Sequence, residues 1–214
     1  MVISHMRHIA RREDIRDLIL DGVDVLLAKF GYKKMTMDDV ARQVGIGKGT
    51  IYLHFPSKEE LVLAHIDRIA ETVVRKITEI AGTNDAPERR LRRMLVLRVV
   101  HRFDSVSHYS QSLGDLLSSV REALIVRRQA YFEKEAAVFE DVLREGARLG
   151  ALDCPDPRTA SFVLIQSTNA LLPFNLSPRE LGRREDVEDQ VGRIADLLIK
   201  GLLPCPSRPA SWTR

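Results

Sequence analysis

Apolar residues return every three or four positions from Ile15 through Leu18, Ile19, Val23, Leu26 and Leu27 to Phe30, which predicts an amphipathic helix over residues 11–30 closed by Gly31. Gly22 lies inside it, where a small residue predicts a second helix passing close by. Thr36 then precedes Met37 to Val44 as an N-cap, with Asp38 and Asp39 in the first turn, where carboxylates suit the helix dipole. Gly45 ends that helix and only Ile46 and Gly47 precede the next, Lys48 to Phe55, which stops at Pro56. Two short helices about a Gly-containing turn have helix-turn-helix spacing. Ser57, with Glu60 three residues on, predicts a capping box opening a fourth helix to about Ala81.

The segment GTNDAP, residues 82–87, is the clearest break in the chain. Beyond it the periodicity predicts helices at about 87–103, 108–118, 120–149, 157–174 and 185–203, with Gly150 and Asp156-Pro157 marking the boundary between the third and fourth of these. The expected fold is all-α: a three-helix head with helix-turn-helix spacing over residues 1–58, a helical body over 59–203 entered through the long fourth helix, and a disordered tail over 204–214.

Charge changes the picture only through placement. The formal net charge is +3, yet Arg11 to Glu60 holds nine Lys or Arg and nine Asp or Glu. Within that balanced stretch, Val40 to Lys58 contains Arg42, Lys48, His54 and Lys58 and no acid. A surface that lies on phosphates gains from each neutralised phosphate and loses from each acid. A phosphate-binding loop at Gly45 to Thr50 fails on spacing, because Gly49 follows Lys48 where Ser or Thr is required.

Cys154 and Cys205 lack metal-ligand spacing and are expected to be free thiols. The first residues have neither the apolar core nor the cleavage site of a targeting peptide, and no apolar run reaches bilayer length, so a cytoplasmic protein is expected. No HExxH, GxSxG or Cys/His constellation occurs, and neither an enzyme nor a bound metal or cofactor is expected.

Ile19-Leu20, Leu26-Leu27, Gly31-Tyr32, Thr36, Val40-Ala41, Gly45-Ile46, Lys48-Gly49-Thr50-Ile51-Tyr52, His54-Phe55 and Lys58-Glu59-Glu60-Leu61 together resemble the TetR family of transcriptional repressors, in order and in spacing. The resemblance implies that Lys48, Gly49, Tyr52 and Leu53 face bases in the major groove, while Thr36, Thr50, Tyr52, His54 and Lys58 hold phosphates. Lysine can donate to guanine O6 and N7, and leucine can pack on a thymine methyl. Gly47 stands where the family more usually has a polar residue, which removes one possible contact.

The resemblance further implies a small-molecule effector pocket in the second part, with Met94, Leu95, Arg98, Phe103, Leu113, Leu117, Leu124 and Tyr131 as candidate lining; by periodicity alone these residues are core. It implies a homodimer through the last two helices, with candidates Phe162, Ile165, Asn169, Leu172, Val187, Val191, Ile194 and Leu198, against intramolecular packing as the alternative. Arg89, Arg90, Arg92, Arg93, Arg98 and Arg102 against the single acid Glu88 are read either as a solvated face or as a site for an anionic effector or acidic segment such as 180–189. The expected function is a ligand-responsive homodimeric repressor on a palindromic duplex DNA operator, with no membrane partner. The alternative is a helical ligand-binding or scaffold protein whose helix-turn-helix no longer reads DNA.

Overall fold

The computed structural model describes residues 2–175 and 182–204, with side chains over 14–174 and 182–204. Among the described residues there are eight α-helices and no strand: α1 Val2–Lys34, α2 Met37–Val44, α3 Lys48–His54, α4 Lys58–Ala81, α5 Pro87–Val106, α6 Ser110–Arg148, α7 Pro157–Thr168 and α8 Arg184–Lys200. The chain forms two compact units, one of residues 1–70 and 105–127, the other of 71–104 and 128–214. Residues 105–127, from the middle of the chain, are built into the first unit.

Local chemistry explains most helix ends. Helix α1 is interrupted at Gly31, at φ 70° and ψ 169°. Thr36 and Asp39 form a reciprocal capping box: Thr36 Oγ1 accepts from Asp39 N at 3.1 Å, and Thr36 N donates to Asp39 Oδ2 at 3.0 Å. Gly45 closes α2 at φ 71° and ψ 29°, the left-handed region that turns the chain into α3. Phe55 is extended at φ −139° because Pro56 excludes a helical residue before it. Ser57 Oγ accepts from Glu60 N at 3.1 Å, while the Glu60 side chain pairs with Arg127 at 3.0 Å.

In the first unit Ile19, Val23, Leu27, Val40, Ile51, Phe55 and Leu61 are buried. The close approach expected at Gly22 is present: a Cβ there would sit 2.5 Å from Val44 Cγ1. Gly22→Ala should therefore lower stability, because overpacking of about 1–3 kcal/mol exceeds the ~0.5–1 kcal/mol that Ala gains in a helix. Val44→Ala in the same chain should restore most of the urea midpoint; no recovery would mean that the strain lies elsewhere.

In the second unit α4, α5 and α6 contribute Val73, Ile77, Leu91, Met94, Leu95, Phe139 and Leu143 to one cluster with Leu164 and Ile165 of α7 and Ala195 of α8. Two helix assignments are corrected. The expected break at residue 119 is absent, and a 3-10 turn at Ser107–Tyr109 leads into the continuous α6. Helix α7 ends at Thr168 rather than 174, because Pro173 holds Leu172 extended at φ −73° and ψ 138°. The expected tail beyond residue 204, with Cys205, lies outside the described residues. Cys154 is a buried free thiol.

Candidate nucleic-acid interface

Helix α3 is short and two-sided. Ile51 and Phe55, four residues apart, are buried, and the Arg16 guanidinium lies 4.6 Å from the Phe55 ring centroid. On the opposite side Tyr52 is 44% and Leu53 78% exposed, together with Lys48 and Gly49. Among the described residues Leu53 is the most exposed large apolar side chain. Nothing lies within 4 Å of a Cβ built at Gly49. Gly47 is the N-cap of α3 and supplies no side-chain cap. Thr36 is exposed, while Thr50, His54 and Lys58 are half-buried at its margins.

Thr36, Lys48 and Lys58, all expected DNA contacts, are already engaged within the chain: the Thr36 hydroxyl donates to Asp39 Oδ2 at 2.7 Å. Lys48 Nζ lies 2.6 Å from Asp38 Oδ1, with both side chains 56% exposed, and 5.9 Å from the Tyr52 ring centroid. Lys58 Nζ lies 4.1 Å from the Tyr32 ring centroid and donates to Lys33 O at 3.5 Å. Burial lowers the Lys58 ammonium from its ordinary range, with Glu59 acting in the opposite sense. Tyr32 in turn donates to Glu59 Oε1 at 3.3 Å. The acid-free window thus does not stay acid-free in space: the turn at Gly45 folds the start of α3 back onto the first turn of α2. A carboxylate two residues outside the window, on an exposed first turn, was the signal for this.

The candidate effector residues are divided. Met94, Leu95, Arg98, Phe103 and Tyr131 belong to the second unit, and Leu113, Leu117 and Leu124 to the first. Met94, Leu95 and Phe103 are buried in apolar clusters, and Leu113 is buried. Leu117 and Leu124 are half-buried, as is Tyr131, whose hydroxyl is buried with no hydrogen-bond partner. A groove of about 380 Å³ is lined by the other face of α5, with Arg92, Arg93, Val96, Leu97, Val100 and His101, and by Lys76 and Arg184.

The arginines of 87–102 divide: Arg89, Arg92 and Arg93 are exposed, as a solvated face requires, while Arg90, Arg98 and Arg102 are buried. Arg98 is fully buried: its Nε donates to Glu135 Oε2 at 2.7 Å, Nη1 to Thr168 Oγ1 at 2.5 Å and Ile165 O at 3.1 Å, and Nη2 to Asn169 Oδ1 at 3.0 Å. Arg102 donates to Glu135 Oε1 at 2.5 Å and to Arg98 O at 2.9 Å. Arg90 pairs with Glu145, Arg92 with Asp196 and Arg93 with Asp85. These partners lie outside 180–189, the segment suggested by sequence.

Of the candidate dimer residues, Ile165, Leu172, Val187 and Val191 are buried within the single chain, and Asn169 accepts from Arg98. Phe162, Ile194 and Leu198 are half-buried, beside Val163 and Leu197, which are 47% and 73% exposed. Among the described residues no group of His, Cys, Asp or Glu could hold a metal ion, and no helix is long and apolar enough to cross a membrane.

Residues 19–65, which span α2, α3 and the start of α4, match the bacterial regulatory proteins of the tetR family. The HTH-type transcriptional regulator YhgD of Bacillus subtilis is 28% identical over 167 residues, covering 74% of this chain and 83% of that protein. A transcriptional regulator from Cytophaga hutchinsonii superposes with a TM-score of 0.74 at 19% identity, covering 88% of this chain and 98% of the other. SmeT, solved in complex with triclosan, superposes with a TM-score of 0.64 at 18% identity, over 93% of this chain and 97% of that one. With a matching helix-turn-helix at its head and the same all-helical fold along nearly its whole length, the chain is a TetR-family transcriptional regulator.

Proposed function

We propose that this regulator is a homodimeric, ligand-responsive repressor that holds a palindromic operator through α3. The observation that carries the reading is the outer face of α3: Tyr52 and Leu53 stand exposed beside Lys48, on a helix anchored from behind by Ile51 and Phe55. Lys48, Gly49, Tyr52 and Leu53 enter the major groove, and Thr36, Thr50, Tyr52, His54 and Lys58 take phosphates and set register. Residues 1–58 carry DNA recognition, and residues 59–203 carry effector binding and dimerisation. Two copies place their recognition helices about one helical turn, roughly 34–36 Å, apart.

The dimer surface is formed by the outer sides of α7 and α8, where Val163 and Leu197 are exposed beside Phe162, Ile194 and Leu198. Binding of triclosan by SmeT, which shares the fold, supports a small-molecule effector here. The effector favours a spacing of the heads that no longer fits the operator, which needs only ~1–3 kcal/mol of coupling. The protein works in the cytoplasm and catalyses nothing.

The test is retardation of duplexes from the gene's own upstream region across a salt series. Affinity should fall steeply between ~50 and 200 mM salt, as several phosphate contacts require. A chain that retards none of them at low salt without ligand is instead a helical ligand-binding or scaffold protein.

A further inference from the structure

The groove-facing start of α3 carries one ammonium, and the fold brings an acid to it. Asp38 is not occupied with capping α2, since Thr36 bonds Asp39, which also holds Arg42. Asp38 instead reaches Lys48 at 2.6 Å across the turn. We infer that Asp38 is a specificity-determining residue of the DNA-binding head: it retains Lys48 against non-cognate duplex and yields it to a base edge. The inference rests on α3 being the recognition helix.

The chemistry is an exchange of acceptors. An exposed ion pair is weak and is readily given up to a better partner. A single phosphate oxygen is no better than the carboxylate it displaces, and the carboxylate left behind then stands against the phosphate and repels it. Guanine presents O6 and N7 side by side, so cognate sequence offers Lys48 two acceptors in place of one. The Tyr52 ring, 5.9 Å from Nζ, keeps the ammonium on the groove side after Asp38 lets go. Asp38 thus lowers binding everywhere, and lowers it least where the base is correct.

Two duplexes of equal length serve as probes, one selected by the wild-type protein from a random library and one unselected. Asp38→Asn should tighten the unselected duplex about threefold, the share of one phosphate contact over a moderate salt range, and steepen log affinity against log salt by about 0.9. The selected duplex should change less, so the ratio between the two falls, while the melting temperature drops by no more than a few degrees from the lost helix-dipole contact. Asp38→Glu should preserve the ratio. In a Lys48→Gln background Asp38→Asn should have no effect on it. An unchanged ratio in Asp38→Asn, or the same fall in the Lys48→Gln background, overturns the role of Asp38 alone. Retardation of neither duplex by the wild type overturns it together with the DNA-binding reading.

Discussion

Replacing Glu135 by Ala should destabilise the second unit by about 3–5 kcal/mol, because it strands two arginines inside the protein. Glu135 is fully buried and is the shared carboxylate of Arg98 and Arg102, which are 0% and 2% exposed. Arg98 keeps acceptors on Ile165, Thr168 and Asn169, but none of them is charged. Burial pushes the Glu135 carboxyl up, and the two guanidiniums together outweigh burial and hold it below the ordinary carboxylate range. Its contribution is therefore complete above the unfolded carboxylate pKa, about 4.3, and is lost only as pH falls through the lower folded value.

Glu135→Gln should separate charge from volume, losing most of the stability of Glu135→Ala with little change in packing. Apolar replacement of all three residues should recover much of it, since well-packed hydrophobes often match a buried ion network. Urea denaturation of the three variants measures this. A loss below ~1 kcal/mol in Glu135→Ala would mean that water reaches the arginines and the network is not dry.

Lys48→Glu should weaken operator binding by about tenfold to a hundredfold or more while leaving unfolding unchanged. The substitution removes the one ammonium on the groove face of α3 and places a second acid beside Asp38. Stability should hold because Lys48 is exposed and α3 is anchored by Ile51 and Phe55. Leu53→Ala should likewise spare the fold, given 78% exposure, and weaken only sites with a thymine methyl beneath it. Titration of one selected duplex with each variant decides the matter, and a Lys48→Glu protein that binds like wild type would take α3 out of the groove.

The head was legible because its signals are local. Thr36, Gly45, Gly47 and Pro56 each act on a neighbouring residue, and the structure ends α2 and α3 within a residue of where they direct. Helix α6 was misread at Ser118-Ser119, where polar residues favour a break in an isolated chain. Ser118 Oγ donates to Gly114 O at 2.8 Å and Ser119 Oγ to Asp115 O at 2.9 Å, so both hydroxyls are satisfied inside a continuous helix. Arg90, Arg98 and Arg102 of α5, buried rather than solvated, were misread for the opposite reason. Their acceptors lie as far as 71 residues away, as in Arg98 with Asn169, and no local pattern announces such partners. The candidate dimer stripe on α7 and α8 mixed two sides of each helix, because periodicity marks apolar faces without saying which of them the chain itself covers.

Residues 105–127 belong to the same compact unit as the head, and the ties are specific. Lys33 meets Asp115 at 2.8 Å, His65 meets the Tyr109 hydroxyl at 3.1 Å, and Arg127 meets Asp67 at 2.5 Å. The compact unit that contains the head is therefore discontinuous along the polypeptide, and residues 71–104 of the other unit, 34 in all, are synthesised before its last piece. On the ribosome the head cannot be completed until residue 127 has emerged, by which time α4 and α5 are already outside. A nascent chain halted before that point carries α3 without the finished support of its compact unit, which is completed only when more than half of the protein has been translated.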